Sequence, residues 1–256
     1  MTHDPNIGSA FITGAGSGIG RAIALRLAKR GHDVGVFDLN ADGLAETAHL
    51  ISQAGATSVT ITGDVSVSDD LAAAAARVRE SLGPISVSVA NAGIESTGTA
   101  VSASIEDWNR SVAVILTGTF LTARHTVPDL IETRGNFVAI SSDCGVTGYP
   151  DSAPYLAAKH GVVGLVRGMA MDFGKFGVRS NAVAPGWVRT PMMTRLYGND
   201  VDAIRDSERR NPMGTFATPE VIADVVSHLT STEARHTNGH VYLVDGGDNA
   251  GHFVVG

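Results

Sequence analysis

The chain has 256 residues, with 19 Lys and Arg against 26 Asp and Glu, for a formal charge of −7 at neutral pH. At 43% hydrophobic and 18% charged residues it can bury a substantial core, and its acidic balance without a basic stripe argues against nucleic acid or an anionic membrane as the main partner. The longest apolar runs, such as Val112 to Leu116, are far too short to cross a bilayer, which leaves a small molecule as the expected partner. A single cysteine, Cys144, permits no intrachain disulfide. The start Met1 to Pro5 lacks the basic end and apolar run of a signal peptide, so the expected location is the reducing cytoplasm.

In chain order, the first strand-length apolar segment is Ser9 to Ile12, followed by a glycine-rich turn and a helix whose apolar stripe is Ile19, Ile23 and Leu27. Gly31 ends that helix. Six further strands are predicted at Val34–Phe37, Val59–Ile61, Ile85–Ala90, Phe137–Ile140, Val178–Val183 and Val241–Val244. Helices are predicted near 41–54, 69–82, 104–133, 153–174 and 219–231, with Ser104 to Asp107 as a capping box and Pro128 as a kink or break. Strands alternating with helices predict an α/β fold, a parallel sheet of about seven strands covered on both faces. No linker or composition shift divides residues 1–256, so one domain is expected. Residues 187–217 read as an irregular excursion, a lid or binding loop beyond the carboxyl ends of the strands.

The turn after the first strand reads Thr13-Gly14-Ala15-Gly16-Ser17-Gly18-Ile19-Gly20. Such glycines let the backbone approach a pyrophosphate at the positive end of the following helix, which makes Gly14, Ser17, Gly18 and Ile19 candidate cofactor contacts. A flexible turn would look similar, but here a strand precedes and a helix follows. Asp38 closes the second strand 20 residues after Gly18, where a dinucleotide fold places the carboxylate that binds the adenosine ribose hydroxyls. A carboxylate there repels a 2′-phosphate and no cation stands beside it, so the expected cofactor is NAD rather than NADP.

Tyr155 and Lys159 lie four apart in a predicted helix and so share a face. An ammonium a few ångströms from a phenol stabilises the phenolate and pulls its pKa toward neutrality, which makes the tyrosine a usable acid/base. With three lysines and four tyrosines in the chain, chance would supply such a pair about once in twenty sequences. Ser141 and Ser142 follow the fifth strand, at the end of the sheet where ligands bind.

Together with Asn91-Ala92-Gly93, Pro185-Gly186 and Asp245-Gly246-Gly247, these motifs stand in the order seen in the short-chain dehydrogenase/reductase family, which the chain resembles from about residue 9 to 248. The resemblance implies a Rossmann-like doubly wound domain, usually a homotetramer, transferring hydride between NAD(P) and a secondary alcohol or carbonyl substrate. It implies Tyr155 as acid/base at the substrate oxygen, Lys159 lowering its pKa and holding the nicotinamide ribose, and Ser142, 13 residues before Tyr155, positioning the oxygen. It further implies Asn91, Ala92 and Gly93 at the adenosine and ribose, Asp64 and Val65 at the adenine, Pro185 and Gly186 along the cofactor, and Val188 and Thr190 at the nicotinamide amide and phosphates.

One position departs from the pattern. Ile115 stands in Val114-Ile115-Leu116-Thr117-Gly118 where relatives usually carry an asparagine that helps hold a water joining the lysine to solvent. Isoleucine cannot hydrogen-bond through its side chain. The expectation is a working triad with an altered proton relay, in which the backbone carbonyl of residue 115 could take the water. Two other readings stay open: an NADPH-dependent reductase of oxoacyl thioesters, which Asp38 disfavours, and a catalytically silent dinucleotide-binding regulator. No metal site is expected from the nine histidines, since Asn238-Gly239 breaks any helix aligning the close pair His236 and His240. No Gly-x-Ser-x-Gly elbow suggests a hydrolase. Cys144 reads as a small buried residue or a pocket thiol, and Trp187, Met192, Met193 and Leu196 as a substrate wall or as loop anchors. Arg189 and Arg195 read as solvated loop residues. Substrate specificity is expected to reside around 94–98, 143–149, 187–217 and the tail 249–256.

Overall fold

The computed structural model describes residues 8–198 and 200–251. The stretch Met1 to Pro5 and residues 252–256 of the tail read for specificity lie outside the described residues. Seven strands, β1 (Ser9–Thr13), β2 (Val34–Asp38), β3 (Ser58–Thr62), β4 (Ile85–Ala90), β5 (Asn136–Ile140), β6 (Arg179–Pro185) and β7 (Val241–Val244), form one sheet in the order β3-β2-β1-β4-β5-β6-β7. Every pairing is parallel, with Ile12 in register with Val36 on one side and Val89 on the other. The connections carry α1 (Gly18–Lys29), α2 (Ala41–Gln53), α3 (Ser68–Leu82), α4 (Ile105–Ser111), α5 (Gly118–Thr133), α6 (Ala153–Phe173), α7 (Pro191–Tyr197), α8 (Val201–Arg210) and α9 (Pro219–Leu229).

The alternation of side chains along β1 explains why both faces are covered. Ile12 packs with Val36 against Ile23 and Leu27 of α1 and Ile222 and Val226 of α9. Its neighbour Phe11 faces the other way, edge-on to Phe37 at 6.2 Å, among Leu71 and Val78 of α3 and Leu130 of α5. Each such side chain contributes roughly 1.5–3 kcal/mol on burial. The chain leaves β1 toward β2 and β3, then returns to β4 on the opposite flank, so the loops after β1 and β4 diverge and open a crevice at the carboxyl ends of the strands.

The structure corrects three expectations. β6 begins at Arg179, one residue later than predicted, and runs two residues past Val183 to Pro185. Pro128 does not break its helix, because α5 continues to Thr133. A proline in a helix interior forfeits about 3 kcal/mol; Pro128 lies on the exposed side of α5, and the buried face of Leu121, Val127 and Leu130 offsets the cost. The irregularity lies upstream instead, where Val112–Thr117 form one widened π-type turn between α4 and α5. The excursion 187–217 is not irregular. It holds α7, begun by Thr190 Oγ1 accepting from Met193 N at 3.3 Å and by Pro191 in the first turn, and α8, capped by Asp200 Oδ1 accepting from Ala203 N at 2.9 Å. Backbone bonds from Ala217 N to Trp187 O and from Arg189 N to Ala217 O close its base. Of the expected capping box the N-cap half forms, with Ser104 Oγ accepting from Asp107 N at 3.0 Å at the head of α4, while Asp107 Oδ2 accepts from the Ser104 hydroxyl at 2.6 Å.

Candidate active site

The turn after β1 owes its shape to what a side chain would strike. A Cβ on Gly20 would come within 2.1 Å of Gly14 O, and Gly18 sits at φ +52°, a left-handed conformation that glycine adopts freely. Asp38, at the end of β2, is fixed beside this turn. Its Oδ2 accepts from Gly16 N and its Oδ1 from Asn40 N, both at 2.9 Å. Ser17 heads α1 without a side-chain capping bond, and the first turn of α1 holds no acid, so the positive end of the helix dipole faces the crevice uncompensated. This arrangement fits a negatively charged pyrophosphate.

From the other side, β4 delivers Asn91. Its Nδ2 donates to Thr13 O and Gly14 O, each at 3.0 Å, while Thr13 Oγ1 accepts from Asn91 N and Ala92 N at 3.1 and 3.2 Å. Asn91 is therefore the brace that ties the β4 loop to the glycine turn. Thr13, which sequence reasoning did not single out, is its counterpart, and its signal was a hydroxyl on the last residue of a strand ending in this turn.

Ser142 follows β5 and Tyr155 and Lys159 project from α6. Lys159 is 4% exposed, and its Nζ donates to Ile140 O at 2.8 Å and stands 5.6 Å from the centroid of the Tyr155 ring. Tyr155 is hydrogen-bonded with Ser142. Ser142 Oγ donates to Asp143 Oδ1 at 2.8 Å and accepts from Cys144 N at 3.2 Å. Burial pushes the Tyr155 phenol well above its ordinary range, and the bond with Ser142 opposes this only in part. Burial also lowers Lys159, to about 8. The expectation that the phenol is drawn toward neutrality is not met in this structure: burial is the largest influence on it, and the phenol is held neutral. Burial raises the Cys144 thiol to about 11, which disfavours a reactive thiolate.

These elements enclose a cleft of about 560 Å³. Gly14, Ser17, Gly18, Ile19 and Asp38 line one end, and Asn91, Ala92 and Gly93 the wall after β4. Ser142, Tyr155, Lys159, Pro185, Gly186, Val188 and Thr190 line the rest. Asp64 and Val65 are not part of this lining. Asp64 Oδ1 accepts from Ser66 N and Ser66 Oγ, and Val65 is buried against Gly118. Ile115 is 1% exposed and lies in the core rather than the cleft, with its carbonyl accepting from Thr119 Oγ1 at 2.6 Å. The outer part of the cleft is apolar: Trp187, Met192, Met193 and Leu196 all line it. Trp187 also stacks on Phe216 at 5.7 Å and meets Tyr149 edge-on at 6.4 Å, so it is wall and anchor at once. Arg189 pairs with Glu208, and Arg195 with Glu95 across the cleft at 3.6 Å. Glu95, which also lines the cleft, keeps Oε2 buried without a partner.

A family model described as Enoyl-(Acyl carrier protein) reductase, of the short-chain type, matches residues 14–249. The chain belongs to the short-chain dehydrogenase/reductase family. Among its relatives is 2-(S)-hydroxypropyl-CoM dehydrogenase 3 of Xanthobacter autotrophicus, 39% identical over 93% of this chain and 95% of that one. Among solved structures, levodione reductase superposes with a TM-score of 0.92 at 33% identity, over 96% of this chain and 98% of that one. An actinorhodin polyketide ketoreductase solved with NADPH gives a TM-score of 0.91 at 33% identity, covering 96% and 99%. The parallel seven-stranded sheet with helices on both faces is thus the fold this chain shares with these solved structures.

Proposed function

We propose that this protein is an NAD-dependent oxidoreductase that interconverts a secondary alcohol and its ketone. The observation that carries the reading is that Ser142, Tyr155 and Lys159 line the same cleft as Asp38 and the uncompensated head of α1. Bound there, the nicotinamide dinucleotide supplies the hydride acceptor for oxidation or the donor for reduction. Asp38 would accept from the adenosine ribose hydroxyls and repel a 2′-phosphate, and Ser17 with the first N–H groups of α1 would hold the pyrophosphate.

Tyr155 would exchange the proton at the substrate oxygen, and Ser142 would orient that oxygen. A phenol held neutral by burial is suited to giving its proton to an oxygen that gains charge as a ketone is reduced. Oxidation runs the same proton the other way. Lys159, still charged at neutral pH, stabilises the phenolate whenever it forms. Met192 and Leu196 would cover the reacting carbon and exclude water. The relatives' names fit this chemistry, one being a dehydrogenase of a 2-hydroxypropyl group and two being reductases of carbonyl compounds. The NADPH of the ketoreductase structure keeps cofactor choice a matter for Asp38.

The test is to follow the absorbance of reduced nicotinamide across secondary alcohols and ketones, with NAD and NADP in parallel. Tyr155→Phe should lower kcat by about 10²- to 10⁴-fold while NADH still binds. Full turnover by that variant overturns the assignment. Activity confined to NADPH and oxoacyl thioesters would favour the thioester reductase, and NADH binding without any turnover the silent regulator.

A further inference from the structure

At the amino-terminal ends of β5 and β6, the end of the sheet opposite the cleft, the loops after α6 and α9 enclose a second hollow of about 660 Å³. Its charge is at odds with that of the chain. In a protein of net charge −7, Arg134, Arg179, Arg235 and His236 line this hollow, and no Asp or Glu does. None of these arginines forms an ion pair among the described residues. Of the acids nearest in sequence, Glu132 and Glu233, neither lines the hollow, and Glu233 Oε2 lies 3.6 Å from His228 Nδ1.

Two further features indicate unspent binding capacity. Arg179 donates only to main-chain carbonyls, Ser231 O at 3.1 Å and Thr237 O at 3.4 Å, and burial lowers its pKa. A half-buried guanidinium without an anion has lost hydration and gained no charge partner. Asn136, also in the wall, has a buried Oδ1 with no hydrogen-bond partner, and its Nδ2 makes only a 3.3 Å bond to Thr230 O. Arg134 ends α5 at φ +52°, a left-handed position for a side chain that pays in backbone energy for its placement at this rim.

A phosphate group matches this set of partners. Its oxygens accept from guanidinium forks, and in its singly protonated form its O–H can be given to an acceptor such as Asn136 Oδ1. We propose that this hollow binds a phosphate group, presented by inorganic phosphate or by a small phosphate monoester, separately from the dinucleotide cleft. The hollow is larger than inorganic phosphate requires, which leaves room for the body of an ester.

The experiment is calorimetric titration of the full chain, saturated with NADH to occupy the cleft, with inorganic phosphate and with glycerol 3-phosphate at constant ionic strength. Saturable binding in the millimolar range or tighter is expected, and Arg235→Gln and Arg179→Gln should each weaken it by about tenfold. Arg235 is exposed, so its replacement leaves the fold intact even if that of Arg179 does not. Tighter binding of the ester identifies the larger ligand, and equal binding identifies inorganic phosphate. The proposal is overturned by no saturable binding up to about 50 mM, or by binding that NADH displaces and Arg235→Gln leaves unchanged, which assigns it to the glycine turn. The arginine dependence can be read without NADH, so this outcome is separate from the fate of the proposed oxidoreductase activity.

Discussion

Lys159 Nζ stands 5.6 Å from the centroid of the Tyr155 ring and donates to Ile140 O at 2.8 Å, so this cation beside the phenol is itself buried and tied to the sheet. Burial lowers it from 10.5 to about 8. Because the folded pKa lies below the unfolded one, the unfolded chain binds more protons between about 8 and 10.5, and stability climbs with pH through that window. Below it, the buried charge costs on the order of 3 kcal/mol, of which the bond to Ile140 O returns about 1. Lys159→Met should therefore be more stable than the parent by about 1–2 kcal/mol at pH 7, with the gain vanishing near pH 10.5, and should lose nearly all turnover. Urea denaturation at the two pH values checks this, and a variant less stable at pH 7 than at pH 10.5 relative to the parent contradicts it.

The same burial sets a direction for catalysis. Tyr155 is held above its ordinary range, so its proton stays on at neutral pH. Reduction uses that proton and should show a kcat nearly flat from pH 6 to 8. Oxidation needs the phenol emptied, so its kcat should climb over the same range, and lose support above about 8 as Lys159 gives up its charge. Initial rates in both directions decide it. An oxidation rate that falls between pH 6 and 8 is incompatible with Tyr155 as the base.

Ile115 offers a sharper probe of proton supply. Its side chain is packed in the core beneath α6, and its carbonyl already accepts from Thr119 Oγ1. Ile115→Asn puts an amide into that apolar site and should destabilise the fold by about 1–3 kcal/mol. If residue 115 governs a relay to Lys159, the pH–rate profile of the variant should also differ from that of the parent. Superimposable profiles, measured on protein shown to be folded, would remove any relay defect from the account.

The strands were legible because their signals are local: Val34 to Phe37 is a short run without a polar side chain and Ile85 to Ala90 alternates Ile, Val and Val with Ser86 and Ser88, and both recur between helical segments as a parallel sheet requires. α8 was not, because it has no buried stripe. It stands on the Asp200 cap and exposed pairs such as Arg210–Asp206, and although Ala203, Ile204, Ser207 and Glu208 share its part-buried face, two of those four are polar, so the apolar signal is weak. α7 carried the readable sign Thr190-Pro191, a cap followed by a first-turn proline, but is only seven residues long. At the site, residue identities and order were enough to gather Ser142, Tyr155, Lys159 and Asp38 around one cleft. The state of the phenol was not readable, since desolvation depends on what packs around α6. Nor was the bracing of Asn91 on Thr13, which joins strands 78 residues apart.

The proposed cofactor preference rests on Asp38, whose role is separable from the fold it supports. The carboxylate is held by Gly16 N and Asn40 N, leaving its charge at the crevice end of the glycine turn. Asp38→Ala removes the charge and the ribose acceptor together, and leaves two N–H groups to water at a cost of about 1 kcal/mol in stability. A charge-assisted bond is worth about 1.5–3 kcal/mol, so kcat/KM with NAD should fall by about 10- to 100-fold. With NADP it should rise, because the repulsion of a 2′-phosphate is gone while no cation has been added to attract one. The ratio of the two kcat/KM values, measured on one alcohol, is the readout. A ratio unchanged by the substitution would detach Asp38 from the ribose and leave the NAD preference without a physical basis.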